Sequence, residues 1–137
     1  MDELKKLLLP EIPASAKIFG WVLVVAGTAF AYIYMFVPGE FFPGVDLATF
    51  SAKFGLYSTG VRILGSLLGI IIALMLNSAA LLALMLATRI FTELGDVMVG
   101  LVVNNGSPDS NTVTLLILAA VEVYFATRLM RLLLNTK

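Results

Sequence analysis

Two long apolar runs with a short polar break between them occupy residues 59–103, which read TGVRILGSLLGIIIALMLNSAALLALMLATRIFTELGDVMVGLVV. The first run covers 59–76, the break is Asn77-Ser78, and the second run covers 79–103. The hydrocarbon core of a bilayer is about 30 Å thick, and a helix crosses it in roughly 20 residues. Both runs are therefore predicted to span a membrane, and the short break predicts an antiparallel helical hairpin.

Two further runs of similar length flank this pair. The run 18–37 is followed by Pro38, and the run 112–134 is preceded by a turn that contains Pro108. All four runs are too long and too continuous to be strands of a membrane barrel, which need only about 10 alternating residues. In lipid the backbone must satisfy its own hydrogen bonds, and a helix does so within each run. The predicted fold class is all-α: an integral membrane four-helix bundle that forms a single domain over 1–137.

The composition agrees with this fold and excludes several kinds of function. Of the 137 residues, 60% are apolar and 13% are charged, and the mean hydropathy is +1.00; a soluble chain averages about 45–50% apolar and about 25% charged. Nine basic residues balance nine acidic ones, so there is no basic surface for nucleic acid. The chain has no cysteine and no histidine, which excludes disulfides, thiolate chemistry, iron–sulfur clusters and His-based metal or haem sites. We predict no metal and no cofactor.

The basic residues predict the orientation in the membrane. They precede the first run and follow the end of the fourth, whereas the loop between the first two runs carries one lysine; the flanking residues are Lys5, Lys6, Lys17, Arg128, Arg131 and Lys137. Positive charge is retained on the cytoplasmic side, so both termini are predicted to be cytoplasmic. Residues 1–16 have the pattern of a short amphipathic helix on the membrane surface.

The long loop between the first two runs is rich in phenylalanine. Asp46 is placed to cap a short helix over 46–54, with Leu47, Phe50 and Phe54 on one face. Such a helix would lie in the membrane interface. The alternative is an irregular loop whose aromatic side chains anchor it to the interface.

Five ionisable side chains occur inside the apolar runs. Placing each in lipid costs several kcal/mol of insertion free energy, so each is expected to have a structural or functional role. They are Arg62, Arg89, Glu93, Asp96 and Glu122. Arg89, Glu93 and Asp96 are spaced i, i+4 and i+7, so they share one helix face, which we expect to point into the bundle. Antiparallel packing places Arg62 at the depth of Asp96, and Glu122 at about the depth of Arg89 and Glu93.

The resulting cluster has two cations and three carboxylates, and therefore one excess negative charge. A carboxylate without a partner in a low-dielectric interior takes a proton or binds a cation, and we expect Glu93 or Glu122 to be the protonated group. Convergent ionisable groups in an interior are typical of a functional site. The alternative is that the charges only hold the helices in register.

Small residues on the second run suggest close helix packing. Gly65, Ser66 and Gly69 lie on the stripe that begins at Arg62, and such residues allow a neighbouring backbone to approach. Tyr34, near the end of the first run, is interpreted as an interface residue.

Four runs in about 140 residues and two short motifs resemble the DoxX-like group of small four-helix membrane proteins, and most of all its uncharacterised members. The motifs are Gly60-Val61-Arg62 and Arg89-x-x-x-Glu93-x-x-Asp96. The resemblance covers the chain from about residue 18 onward, although the first loop is more aromatic and the Pro-containing tail longer than in that group. It implies the fold and a location in a bacterial inner (plasma) membrane, and it implies no activity.

Three functions fit these residues. In the first, the five charged groups bind or transport a small amphiphilic molecule or protons. The partner would be membrane lipid or a lipophilic small molecule. Transport would need a second access route or a homo-oligomer. In the second, Glu93, Asp96 and Glu122 are candidate acid and base groups of an intramembrane enzyme, such as an isomerase, a cyclase or an epoxide-opening enzyme. In the third, the protein is an accessory subunit whose charges fix packing. An enclosed cavity of a few hundred Å³ bordered by several of the charged groups would favour a binding site, and a collapsed interior with every charge paired would favour the subunit.

Overall fold

Five helices make up the computed structural model, which describes residues 10–41, 46–103 and 105–135. Four are long: α1 (Ala14–Phe36), α3 (Phe50–Met75), α4 (Ala79–Val103) and α5 (Ser110–Asn135); α2 (Pro38–Phe41) is a single turn. The described residues therefore form the all-helical bundle that the sequence predicts. Helices α1, α3 and α5 are long and apolar enough to cross a membrane, which indicates a membrane protein. The fourth long helix, α4, carries Arg89, Glu93 and Asp96.

The predicted separate helix over 46–54 is wrong. Asp46 Oδ1 accepts a hydrogen bond from the Ala48 backbone N–H at 2.9 Å and closes a turn, while Thr49 caps the helix that begins at Phe50. No residue after Phe50 breaks the helical pattern, so Phe50 and Phe54 form the first turns of α3, where their rings stack at 5.9 Å between centroids. The predicted surface helix over 1–16 falls partly outside the described residues, since 1–9 are not among them; α1 begins at Ala14, after Pro13.

The long helices form two antiparallel pairs, α1 with α3 and α4 with α5, and these pairs have the most extensive contacts in the bundle. On α1, Gly20 lies against Leu74 and Gly27 lies against Leu67, so α1 and α3 run in opposite directions. The turn between α4 and α5 contains Gly106, whose φ of +83° favours glycine. We call these two pairs the α1–α3 hairpin and the α4–α5 hairpin.

A three-residue turn joins the two hairpins. Asn77 in this turn has a φ of +51°, a conformation that asparagine tolerates better than most residues. Its side-chain Oδ1 accepts a hydrogen bond from the Ile12 backbone N–H at 3.3 Å, and the Ala79 N–H donates to the Pro10 carbonyl at 3.2 Å. The chain before α1 is thus fastened to the turn, and α3 and α4 are antiparallel as predicted.

The apolar core lies at the end of the bundle nearest this turn. It contains Ile12, Ala16, Leu23, Leu67, Ile70, Ala73, Leu74, Ala79, Leu82, Ala83, Leu86, Ala126 and Leu129. At the same end the rings of Phe19 and Phe125 stack at 4.3 Å between centroids and join the two hairpins. A dry, close-packed interior therefore closes this end of the bundle.

The hairpins diverge within one helical turn of Gly69. A Cβ atom on Gly69 would lie 2.4 Å from the Met85 side chain, whereas a Cβ atom on Gly65 would meet nothing within 4 Å. The packing interpretation of the small residues is therefore confirmed for Gly69 and wrong for Gly65. The Met85 side chain of α4 packs directly against α3 at Gly69, whereas α3 faces open space at Gly65.

Candidate ligand-binding crevice

A partly open cavity of about 950 Å³ lies where the two hairpins diverge, and all four long helices line it. We call this cavity the crevice. Its sides are apolar and come from the outer helices, with Leu23 and Phe30 on α1 and Ile117, Leu118 and Val121 on α5. Its polar surface comes mainly from α3 and α4, with Arg62, Ser66, Arg89, Glu93 and Asp96. The crevice thus combines two apolar walls with a charged strip between them.

A buried network joins three helices at the bottom of this strip. The Arg89 guanidinium donates from Nε to Glu122 Oε1 at 2.7 Å, from Nη2 to Glu93 Oε1 at 2.6 Å, and from Nη1 to Ser66 Oγ at 3.0 Å. The side chains of Arg89, Glu93 and Glu122 are 11%, 7% and 0% exposed. We call these three groups the buried triad. All three guanidinium nitrogens have protein partners, which holds Arg89 in one orientation.

A second ion pair lies nearer the surface. Arg62 Nη2 donates to Asp96 Oδ2 at 2.5 Å, and the two side chains are 48% and 36% exposed. We call it the outer pair. Their depths along the helices predict that Arg62 lies beside Asp96 and that Arg89 lies beside Glu93 and Glu122, and the contacts in the structure agree. The five charged residues therefore form two separate groups, the buried triad and the partly exposed outer pair.

Glu122 differs from the other four charged residues because it does not line the crevice. It is fully buried on the α5 side of Arg89. Its carboxylate contacts the guanidinium, so it acts on the crevice by positioning Arg89. Arg62, Arg89, Glu93 and Asp96 all line the crevice, where a ligand could reach them.

The buried triad holds more negative charge than positive charge. Glu93 and Glu122 each use Oε1 to accept from Arg89, and their carboxyl groups also contact each other. The remaining oxygens, Glu93 Oε2 and Glu122 Oε2, are buried and have no hydrogen-bond partner among the described residues. Buried polar atoms without a partner are uncommon and costly, so the triad has room to accept one more proton or cation.

Sequence reasoning missed three polar residues of the crevice. Tyr34 lines it close to Arg62 and Asp96, and Ser66 accepts a hydrogen bond from Arg89. Asp109 also lines it, and its Oδ1 accepts from the Thr112 backbone N–H at 2.7 Å at the start of α5. Ser66 lies on the stripe of small residues on α3, and Tyr34 lies on a similar stripe on α1 that contains Gly20, Gly27 and Ala31. Those stripes mark the inward faces, so they could have identified both residues.

The described residues contain no group of three or more acidic side chains suited to a metal ion. No protein-family model, curated protein or solved structure matches this chain. The candidate function therefore depends on the residues and geometry of the crevice itself.

Proposed function

We propose that this protein binds a small amphiphilic molecule in the crevice, with the apolar part between α1 and α5 and the polar part on the charged strip. The observation that carries the proposal is the lining of the crevice: apolar side chains on both sides and four charged side chains between them. A volume of about 950 Å³ is within the range of known small-molecule sites, about 300–1,000 Å³. A register device would need a single ion pair and no cavity.

The proposal places the protein in a membrane as four spans. Arg89 and Glu93 are turned into the bundle, and the outward side of α4 is apolar: Leu84, Phe91, Leu94, Met98 and Val102 are exposed. Helix α4 can therefore cross lipid together with α1, α3 and α5. The basic residues favour cytoplasmic termini, and the DoxX-like resemblance favours a bacterial inner membrane. Membrane lipid is then both the surroundings of the protein and one source of an amphiphilic ligand.

The crevice can be blocked without touching a charged residue. Gly65 lines the crevice and has open space around it, so Gly65→Phe is expected to fold and to place a ring where the ligand lies. Gly95 is also exposed with open space around it, but it does not line the crevice. Gly95→Phe is therefore the matched control. We expect Gly65→Phe to weaken binding of radiolabelled decanol at least about tenfold, or about 1.4 kcal/mol, and Gly95→Phe to leave it unchanged.

The measurement is equilibrium dialysis of the purified protein in lipid nanodiscs, with empty nanodiscs subtracted. Mass spectrometry of the molecules that copurify with wild type, Gly65→Phe and Gly95→Phe gives a second readout. Equal binding and equal copurified molecules in all three proteins would overturn the proposal and favour an accessory subunit.

Transport would require more than the crevice. The apolar core closes the described part of the bundle near the α3–α4 turn, so the crevice does not continue through that end. A conformational change between the hairpins, or a homo-oligomer that provides another opening, would supply a second exit. We therefore propose binding as the basic function, with transport dependent on such a step.

One observation favours an enzyme as the second candidate. Glu93 lines the crevice and has one buried oxygen without a partner, which is a setting for a general acid, and Asp96 is available one turn away as a base. Incubating the copurified amphiphile with wild type and with Glu93→Gln, and comparing the masses and retention times of the products, tests this candidate. Identical recovered molecules would exclude it for that substrate.

A further inference from the structure

The charges that face the crevice are not balanced. The ionisable residues that line the crevice are Tyr34 on α1, Arg62 on α3, three residues on α4 (Arg89, Glu93 and Asp96), and Asp109 before α5. Glu122 on α5 does not line the crevice, but its carboxyl group contacts Arg89 from the other side. These groups comprise two cations and four carboxylates. The outer pair is neutral as a unit, and Asp109 is partly compensated because it caps the first turn of α5. The uncompensated charge therefore lies at the buried triad.

The buried polar atoms at this point that have no hydrogen-bond partner among the described residues are both carboxyl oxygens. Arg89 already donates from Nε, Nη1 and Nη2, each to its own partner. The atoms without a partner are Glu93 Oε2 and Glu122 Oε2. A carboxylate or phosphate headgroup would add a third negative charge beside one arginine, whereas a positively charged headgroup would compensate the existing excess. The electrostatics of the crevice thus favour a cation.

The remainder of the crevice suits a lipophilic cation better than a hydrated metal ion. The rings of Phe30 and Tyr34 line it, and aromatic faces attract ammonium groups. The described residues lack a set of three carboxylates that could replace the water around a metal ion. The apolar walls on α1 and α5 would hold the hydrocarbon part of an organic cation.

From this charge imbalance we propose that the crevice selects lipophilic cations, such as alkylammonium compounds, and that the cation competes with a proton held by Glu93 and Glu122. The inference rests on the proposed function and names its ligand class. In the empty protein one proton is shared by the two carboxyl groups and neutralises the triad. When the cation binds, the O–H bond breaks, the proton leaves to water, and the cation compensates the same charge. No covalent bond forms between the protein and the cation.

The competition makes binding depend on pH in one direction. Each bound cation displaces at most one proton, so its apparent affinity rises with pH by at most about tenfold per pH unit. The rise ends where the triad no longer holds a proton. A neutral ligand displaces no proton and has no such dependence.

The test uses three radiolabelled probes with the same chain and different headgroups: decyltrimethylammonium, decanol and decanoate. Equilibrium dialysis in nanodiscs from mildly acidic to mildly alkaline pH is expected to show that the wild type binds decyltrimethylammonium at least about tenfold more tightly than decanoate. Its affinity is expected to rise with pH. In Glu93→Gln and Glu122→Gln the amide oxygen can still accept from Arg89, so we expect both variants to fold and to lose the preference for the cation together with its pH dependence.

A second readout needs no variant. Adding decyltrimethylammonium to the wild type is expected to remove the infrared C=O band of one protonated carboxyl group, and adding decanol is expected to leave it. Cation binding that is independent of pH, or an unchanged carboxyl band on cation binding, would overturn the inference.

The outcomes separate this inference from the proposed function. If decanoate and decanol bind as tightly as the cation, and Gly65→Phe blocks all three, the crevice binds amphiphiles but does not select cations. If Gly65→Phe binds every probe as the wild type does, the proposed function fails as well.

Discussion

Replacing Arg89 with leucine is expected to lower the free energy of unfolding by about 3–5 kcal/mol, because the substitution leaves two buried carboxyl groups without their shared partner. Arg89 is the cation to which both Glu93 and Glu122 are hydrogen-bonded. It also joins α4 to α5 and to Ser66 on α3. The measurement is unfolding of the purified protein by sodium dodecyl sulfate in mixed micelles, followed by far-ultraviolet circular dichroism.

Two further variants show whether this loss comes from unpaired charge. Arg62→Leu removes a guanidinium from the outer pair, which is far more exposed, and exposed pairs contribute about 0–1 kcal/mol; it serves as the matched control. Adding Glu93→Gln and Glu122→Gln to Arg89→Leu removes the uncompensated carboxylates, so this triple variant is expected to recover most of the lost stability. Equal losses for Arg89→Leu and Arg62→Leu would mean that the buried triad does not hold the helices together.

Replacing Asp96 with asparagine is expected to change what the crevice binds and to leave the fold intact. Asp96 is the partner of Arg62 in the outer pair and lines the crevice. When the negative charge of Asp96 is removed, the Arg62 guanidinium can donate to an anionic headgroup and repels a cationic headgroup. We expect decyltrimethylammonium to bind at least about tenfold more weakly and decanoate to bind more tightly, as measured by the same dialysis in nanodiscs.

The control for this substitution is Asp46→Asn. Asp46 is exposed in the turn before α3, does not line the crevice, and uses a side-chain oxygen that asparagine retains. Both variants remove one negative charge from the protein, so an effect of net charge alone would appear in both. Wild-type binding of both probes by Asp96→Asn would show that the outer pair does not contact the headgroup.

A considerable part of the candidate site can be predicted from the sequence, because charged residues in an apolar helix must point toward the interior of the bundle to avoid hydrocarbon. The spacing of Arg89, Glu93 and Asp96 puts them on one helix face, and the cost of charge in lipid turns that face inward. The short break at Asn77-Ser78 makes α3 and α4 antiparallel, so counting residues from the turn brings Arg62 to Asp96. These predictions need only the helical period and the cost of a charge in hydrocarbon.

Two other features were not predicted correctly from the sequence: one depends on which residue caps a helix, and the other depends on how two helices pack. Helix α3 begins at Phe50 because Asp46 closes a turn and Thr49 caps the helix, although the sequence favoured Asp46 as the cap. Glu122 lies at the predicted depth but behind Arg89, where it cannot contact a ligand directly. Its depth follows from its position along the chain, whereas its place beside or behind the crevice depends on how α5 is rotated against α4.

The sequence by itself determined that this chain forms apolar helices, that their charged residues turn toward one another, and which residues pair by depth. Those results follow from the period of a helix and from the cost of burying charge, and both can be read from one segment at a time. Only the tertiary structure decided that the hairpins separate beyond Gly69 and leave a crevice. The distance between two helices is set by all the side chains that pack between them. Gly69 and Gly65 are identical residues one turn apart, yet Gly69 lies at a close contact and Gly65 lies at an opening.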